Sequence, residues 1–352
     1  MSETGFDRAA ALADVAAARA GLRAWAGRID VEACLRPIPQ GLLNATFAVG
    51  DPPRCALQLV HPQFGAAENA RLAAMAPVLA EAGVAIPALV ETDEGARGVA
   101  HASGAAWRLT TWLAGEGFER VPSPAHAASA AALLARFHDV LAGADFAAWP
   151  ASAFHDTDGR MQALSDAVPD DTDGEARRLG EAILARWEAF RVTAEVAPTA
   201  ARPGHGDPKI SNFLFRGADC VGLLDLDTAA RFPLEDDLGD AMRSWCNPAG
   251  EDDPDGPFDE AVFAAAVAGY LGRARTITSE ERGRIVFGTV RIALELASRF
   301  CLDAIRQDYF GWNPAVAPTR RAHNLIRARG QLALADQLIG RRAALEQIVA
   351  AS

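Results

Sequence analysis

The stretch His205-Gly206-Asp207-Pro208-Lys209-Ile210-Ser211-Asn212, followed by Leu223-Leu224-Asp225-Leu226-Asp227, decides how this chain is read. An aspartate, a lysine two residues on, an asparagine five on, and then an apolar run ending in aspartate is the layout of a phosphoryl-transfer loop. Such a transfer needs positioning and charge neutralisation more than covalent chemistry. One carboxylate must face the accepting hydroxyl, while another side-chain oxygen and a second carboxylate hold magnesium against the phosphates of ATP. Val221 to Leu226 is expected to be a short buried strand that delivers Asp225 rigidly to the metal. The competing reading, a plain turn in which Asp207 and Asn212 are ordinary loop formers, leaves the agreement of loop, spacing and strand unexplained.

Lys209 is the only lysine among 34 basic residues, so 33 are arginine. A lysine that survives in such a composition sits where a compact ammonium on a flexible stem is wanted rather than a planar fork. Neutralising the moving phosphoryl is such a task.

The 352 residues fit one large or two modest domains, and half of them are apolar, enough for a substantial core. A net charge of -12 argues against a general nucleic-acid or anionic-membrane partner. The cysteines, Cys34, Cys55, Cys220, Cys246 and Cys301, are odd in number, widely spaced and without a Cys-x-x-Cys pair. Reduced thiols are therefore expected, not a zinc site or a disulfide framework. With no apolar leader near Met1 and no run of about 18 apolar residues, a soluble cytoplasmic protein is expected.

Helical periodicity runs from Phe6 to Trp25, and strands are expected over Cys34 to Val49 and Cys55 to Val60. The turn Gly50-Asp51-Pro52-Pro53 separates them, and within the first lies Pro39-Gln40-Gly41-Leu42-Leu43-Asn44, where a glycine would let backbone N–H groups approach phosphate. Ala66 to Ala82 is a helix carrying Glu68 near its start; Ile86 to Val90, Ala96 to His101 and Ala106 to Leu113 complete an antiparallel sheet. After Trp112-Leu113 the pattern turns helical: Pro122 to Leu141, Glu175 to Val192, Glu235 to Trp245, Pro257 to Ala274, Ser279 to Arg306 and Thr319 to Ala350. The acid-rich loops Val168 to Gly174 and Gly250 to Pro257 read as solvated connections. The fold class is α+β and protein-kinase-like: residues 1–113 form an N-terminal antiparallel-sheet lobe with one main helix, and residues 114–352 a larger, mostly helical lobe. ATP is expected between them, with adenine against Trp112 and Leu113.

These elements resemble the aminoglycoside phosphotransferase and choline kinase superfamily, whose loop reads His-x-Asp-x-x-x-x-Asn. The likeness is strongest to N-acetylhexosamine 1-kinases, which phosphorylate a sugar at its anomeric hydroxyl. It is carried by Gly41-Leu42-Leu43-Asn44, Leu57-Gln58, Trp107-Arg108-Leu109, Phe154-His155-Asp156-Thr157, the loop itself, Leu224-Asp225-Leu226-Asp227-Thr228, Asp237-Leu238-Gly239-Asp240, Arg299-Phe300, Asp303, Tyr309-Phe310 and His323-Asn324-Leu325. The resemblance implies that Asp207 is the base, that Asn212 and Asp225 hold Mg2+, and that Asp227 assists at a second metal or orients the sugar. Gly41, Asn44, Gln58, Glu68, Trp112 and Leu113 would line the nucleotide. Arg299, Asp303 and Tyr309 would contact the sugar; read without the family they are a helix-surface pair and a packed aromatic. His155 is as well read as a structural residue as a substrate contact, and His138 as a satisfied core histidine.

Two departures stand out. Protein kinases place a lysine on the third strand against the α- and β-phosphates, paired with a helix glutamate; here Gln58 occupies the strand, as in the N-acetylhexosamine kinases. Their glycine turn usually reads Gly-His-Ile-Asn, and the leucine at 42 removes a polar group, which leaves the acceptor open. The rivals to a sugar are another small alcohol (choline-like, or an aminoglycoside served by Glu251, Asp252, Asp253 and Asp255) and, from another class, a silent ATP-binding regulator.

Overall fold

The computed structural model describes residues 6–352 apart from 40, 42, 144, 145, 147, 148, 153 and 194–198. By its internal contacts the chain separates into two compact units, residues 1–115 with 222–227, and residues 116–221 with 228–352.

The first unit begins with α1 (Arg8–Ala13) and α2 (Val15–Leu22), split where Asp14 caps the second helix by accepting the Ala17 amide. A competing cap thus interrupts what the periodicity reads as one helix. An antiparallel sheet follows: β1 (Leu35–Ile38), β2 (Ala45–Val49), β3 (Cys55–Val60), then α3 (Ala66–Glu81), β4 (Leu89–Val90), β5 (Val99–Ala100) and β6 (Ala106–Thr111). Its order is β1-β2-β3-β6-β4, with β5 also on β6. The register sets Phe47 opposite Leu57 and Leu57 opposite Leu109, and the next row places Thr46 opposite Gln58 and Gln58 opposite Arg108. Successive residues point to opposite faces. The sheet therefore carries one apolar row, packed with Ala18, Leu22, Trp25 and Trp107, and one polar row. Trp25 buries its ring there and donates Nε1–H to the Val90 carbonyl at 2.7 Å.

The second unit holds β7 (Glu116–Gly117), α4 (Pro124–Gly143), α5 (Thr157–Ala167), α6 (Glu175–Thr193), β8 (Arg202–Gly204), β9 (Phe213–Arg216), the start of β10 (Asp219–Leu223), β11 (Ala230–Phe232), α7 (Leu234–Trp245), α8 (Glu260–Leu271), α9 (Ser279–Gly283), α10 (Ile285–Arg306), α11 (Arg320–Gly340) and α12 (Arg342–Ala351). Helix α10 is the core element; its residues Val290, Leu294, Ala297 and Phe300 are buried. Where α7 meets α10 the backbones nearly touch: a Cβ on Gly239 would sit 2.5 Å from the Gly288 carbonyl, and one on Gly288 would sit 2.0 Å from the Glu235 carbonyl. Helix α5 is absent from the sequence reading; Asp156 nucleates it by accepting the Gly159 amide at 3.0 Å. No described helix is long and apolar enough to cross a membrane.

The acid-rich loops are solvated only in part: Pro169, Asp170, Thr172, Asp173, Pro254 and Asp255 are exposed, while other acids dock. Asp171 is 4% exposed and pairs with Arg321 at 2.8 Å. Glu251 pairs with Arg243 at 2.6 Å, and Asp252 with His323 at 2.7 Å and Arg327 at 2.8 Å. These acids dock their loops onto helices, because α7 and α11 supply the guanidinium groups of Arg243, Arg321 and Arg327.

Candidate active site

In the second unit, the loop after β8 is held through its backbone. The Asp237 carboxylate, on α7, accepts the amides of His205 at 2.7 Å and Gly206 at 2.6 Å. Thr228 Oγ1 donates to the His205 carbonyl at 2.9 Å, His155 Nε2 lies 3.2 Å from the Gly206 carbonyl, and Trp245 Nε1 donates to the Pro208 carbonyl at 2.9 Å. Asn212 Nδ2 donates to the Asp207 carbonyl at 2.8 Å. Gly206 has φ +87°, and a Cβ there would lie 2.7 Å from the Thr228 carbonyl, so only glycine fits. A loop fixed from so many sides spends little entropy in presenting Asp207.

Asp207 is about a quarter exposed and its Oδ2 accepts from Lys209 Nζ at 2.7 Å. Burial pushes its carboxyl up, but the Lys209 ammonium, with the charges of His205 and Arg243, brings it below the ordinary aspartate value. It is therefore a carboxylate at neutral pH, as a proton acceptor must be. Asp237 is likewise held low: burial raises it, and His138, bonded at 2.7 Å, with His205 outweighs that. His138 also meets the Tyr270 hydroxyl at 2.8 Å and is 1% exposed, a fully satisfied core histidine.

Behind the loop lies a buried charge cluster. His155 Nδ1 is 3.1 Å from Glu295, Thr157 donates to Glu295 at 2.6 Å, and Arg291 reaches Asp236 at 2.8 Å. Burial pushes His155 down, yet the Glu295, Asp240 and Asp236 carboxylates raise it to about 9. Burial raises Asp236 to about 7, against the charges of Arg291 and His155. Phe154-His155-Asp156-Thr157 is thus a prop for the loop, with His155 on the Gly206 carbonyl.

Farther along α10, Arg299 lies over three rings, with its guanidinium carbon 5.1 Å from the centroid of Phe154, 5.7 Å from Tyr309 and 5.5 Å from Phe310. No described residue accepts a hydrogen bond from it. Asp303 has a different job from the sugar contact expected of it. It is 2% exposed, and its oxygens accept the amides of Asp308, Tyr309 and Phe310 and the Asn324 side chain, at 2.6 to 3.0 Å. It fixes the turn that carries the aromatic rings to Arg299. Tyr309 stays 55% exposed.

In the first unit, the polar row of the sheet gathers the residues expected to line nucleotide. Gln58 Oε1 accepts from Arg108 Nε at 2.9 Å and its Nε2 donates to Thr46 at 3.2 Å. Asn44 Nδ2 donates to Asp227 at 2.8 Å, while its Oδ1 accepts the His61 amide at 2.9 Å. Arg8 braces the loop before β2, donating to the carbonyls of Asn44 at 3.0 Å and Pro39 at 2.9 Å. Gly41 has φ +91°, the left-handed backbone that glycine allows; Gln40 and Leu42 of the same turn lie outside the described residues. The Trp112 amide donates to the Arg54 carbonyl at 2.9 Å, and Leu113 packs beside Gly222.

Three expectations change here. Glu68 does not reach the strands: it caps its own helix, accepting the Gly65 amide at 2.6 Å and Arg71 at 2.8 Å. Asn69 takes the inward position, with Oδ1 3.3 Å from Arg108. Strand β10 ends at Leu223, and Asp225 follows it, exposed, at φ +57°. Asparate tolerates that region better than most residues, but a non-glycine there is worth tracing to function. Asp227 is 4% exposed and both of its oxygens accept from Arg108, so it is a buried ion-pair partner and not an open ligand.

In the second unit, no described residue donates to Asn212 Oδ1. In the first, Asp225 is exposed. Among the described residues no group of three His, Cys, Asp or Glu could hold a metal ion.

Residues 35–278, more than half of the chain, match the phosphotransferase enzyme family, and the chain belongs to it. Solved structures share its protein-kinase-like fold. A choline/ethanolamine kinase family protein from Mesorhizobium loti is 19% identical, covering 92% of this chain and 99% of its own, at TM-score 0.59. A microcompartment-associated aminopropanol kinase is 17% identical, covering 93% and 98%, at TM-score 0.63. An amicoumacin kinase solved in complex with AMP-PNP, Ca2+ and Ami is 11% identical, covering 86% of this chain and 88% of its own, at TM-score 0.60. This chain is an enzyme that transfers phosphate to a small molecule.

Proposed function

We propose that the chain is an ATP- and Mg2+-dependent kinase of a free sugar, acting at the anomeric hydroxyl of an N-acetylhexosamine or a close relative. The observation that carries the acceptor class is Arg299, whose guanidinium is pre-positioned on the faces of Phe154, Tyr309 and Phe310 with its hydrogen-bond donors unspent on described residues. Five donors in a fixed fork call for acceptor oxygens, such as those of an acetamido group or ring hydroxyls. They repel an ammonium. Phe154 under this guanidinium is followed by His155, which props the Gly206 carbonyl beside Asp207, so acceptor platform and base share one scaffold.

In this reading Asp207 takes the proton of the attacking hydroxyl as its oxygen bonds to the terminal phosphorus of ATP and the bond to ADP breaks. Lys209, paired with Asp207, is close enough to that carboxylate to offset charge on the moving phosphoryl. Asn212 and Asp225 would hold Mg2+, which when bound neutralises the phosphate oxygens. Tyr309 offers an exposed ring as a stacking surface for a sugar face.

The alternative acceptor, an amine-bearing alcohol, is suggested by the aminopropanol and choline/ethanolamine relatives. Of the four acids expected to serve an aminoglycoside, Glu251 and Asp252 already pair with Arg243, His323 and Arg327, which leaves Asp253 and Asp255 for that role. ADP release measured over free sugars, amino sugars, choline, aminopropanol and aminoglycosides tests the choice. Turnover confined to reducing sugars, with a phosphorus-coupled anomeric proton in the product NMR spectrum, is the expected result. Turnover with choline or an aminoglycoside and none with sugars would overturn it.

A further inference from the structure

Arg108 and Asp227 lie 119 residues apart in sequence and meet as a forked pair, with Nη1 2.5 Å from Oδ1 and Nη2 2.9 Å from Oδ2. Each side chain is only 4% exposed. Every edge of the pair is occupied: Arg108 Nε by Gln58, Nη1 also by Asn69, and Asp227 Oδ2 also by Asn44. The network therefore joins β2, β3, β6 and α3 to the residue two places after Asp225. Its charges balance within it, so Arg108 and Asp227 are matched to each other before any phosphate or cation is considered.

We infer that Arg108 is a positioning residue for Asp225: by gripping Asp227 it fixes the left-handed turn at Asp225, a role distinct from the phosphate grip of a third-strand lysine. The inference rests on the kinase reading above. A non-glycine residue at φ +57° costs backbone energy, less for aspartate than for most, and is held more firmly where its neighbours are fixed. Leu226, between Asp225 and Asp227, is buried, and the forked pair holds both oxygens of Asp227. Lysine cannot replace a fork that meets two carboxylate oxygens and two amide oxygens at once. This also accounts for Gln58 where a lysine is usual: a second cation beside Arg108 would be uncompensated, whereas an amide oxygen orients the guanidinium.

Calorimetric titration of ADP with and without Mg2+, on the full chain, tests this directly. Arg108→Lys and Asp227→Asn should each lower the Mg2+-dependent gain in ADP affinity by roughly 10- to 100-fold, as loss of a residue supporting a metal ligand does. Metal-free ADP affinity and the apparent Michaelis constant of the acceptor should stay within about twofold. The double variant should be no worse than the worse single one, since both break one link. Gln58→Met, a milder change should Arg108→Lys fail to fold, should shift the same quantity in the same direction. If Asp227→Asn weakens Mg2+-dependent binding while folded Arg108→Lys does not, or if the two effects add, Asp227 is itself a ligand and the inference falls. Variants identical to the wild type overturn it too. A wild-type chain that shows neither MgADP binding nor acceptor-dependent turnover would instead overturn the kinase reading on which it stands.

Discussion

Trp245 donates its indole N–H to the carbonyl of Pro208, 2.9 Å away, one residue past the candidate base. The indole is 1% exposed and meets Phe213 edge to face at 5.2 Å, so ring position and hydrogen bond are fixed together. Trp245→Phe keeps most of the apolar contact and leaves a buried carbonyl unpaired. A loss of about 1–3 kcal/mol of stability is expected, with a fall in kcat larger than any change in the Michaelis constant for ATP. Chemical denaturation and steady-state kinetics on the same preparation check both.

Asp207→Asn removes the proton acceptor and keeps its shape, so turnover should fall roughly 10²- to 10⁴-fold while nucleotide still binds. Lys209→Met probes the same carboxylate from the other side. Because the ammonium brings Asp207 below its ordinary value, removing it raises that value. Activity needs the ionised form and is lost as pH falls through the carboxyl's titration. The acid limb of kcat/KM should therefore move to higher pH in Lys209→Met, whatever happens to the plateau rate. A limb that stays in place would detach Lys209 from Asp207.

His155 titrates near 9 in the folded protein, against an ordinary value of 6.5. A basic group raised on folding stabilises fully below its unfolded value, and that stability is lost as pH rises through the folded one. Asp236, raised to about 7, adds a loss of its own between its ordinary 3.8 and that pH. Unfolding midpoints should thus decline from about pH 6.5 to 9 in the wild type, and the decline should flatten in His155→Gln. Glu295, Asp240, Asp236, Arg291 and Thr157 stay in place in that variant, which isolates the imidazole.

At the crossing of α7 and α10, Gly288→Ala would drive a methyl group into the Glu235 carbonyl. Overpacking of this kind costs about 1–3 kcal/mol or more. Since α7 carries Asp237 and Trp245, the displaced helix should also lower kcat. Thermal unfolding with activity measured at low temperature separates the two effects.

How much of this was legible in the chain depended on whether the signal was local. The Asp207-to-Asn212 spacing and the antiparallel strands could be read because spacing and alternation are written in neighbouring residues. The supports of the loop were legible only in part: Asp237, Thr228 and His155 stood in the motifs that carry the resemblance, but their bonds to the loop, and that of Trp245, come from distant segments. The same holds for Asp303, whose four partners become visible only once the 308–310 turn closes over it. The burial of Asp227 was hidden for a related reason. Its place two residues after Asp225 suggested a second ligand, and nothing nearby announces that Arg108 already holds it. The split of α11 from α12 and of α9 from α10 was missed because an amphipathic pattern runs on across a single interrupting residue.

Residues 222–227 belong to the first unit although they are made more than a hundred residues after its last strand. On the ribosome, then, the sheet must wait with the Arg108 cation uncompensated until Asp227 emerges, by which time much of the second unit has been synthesised. Any exchange of halves between relatives has the same constraint: a transplanted amino-terminal segment needs its own Asp225-Leu226-Asp227, or it arrives with a charge that nothing in the host will match.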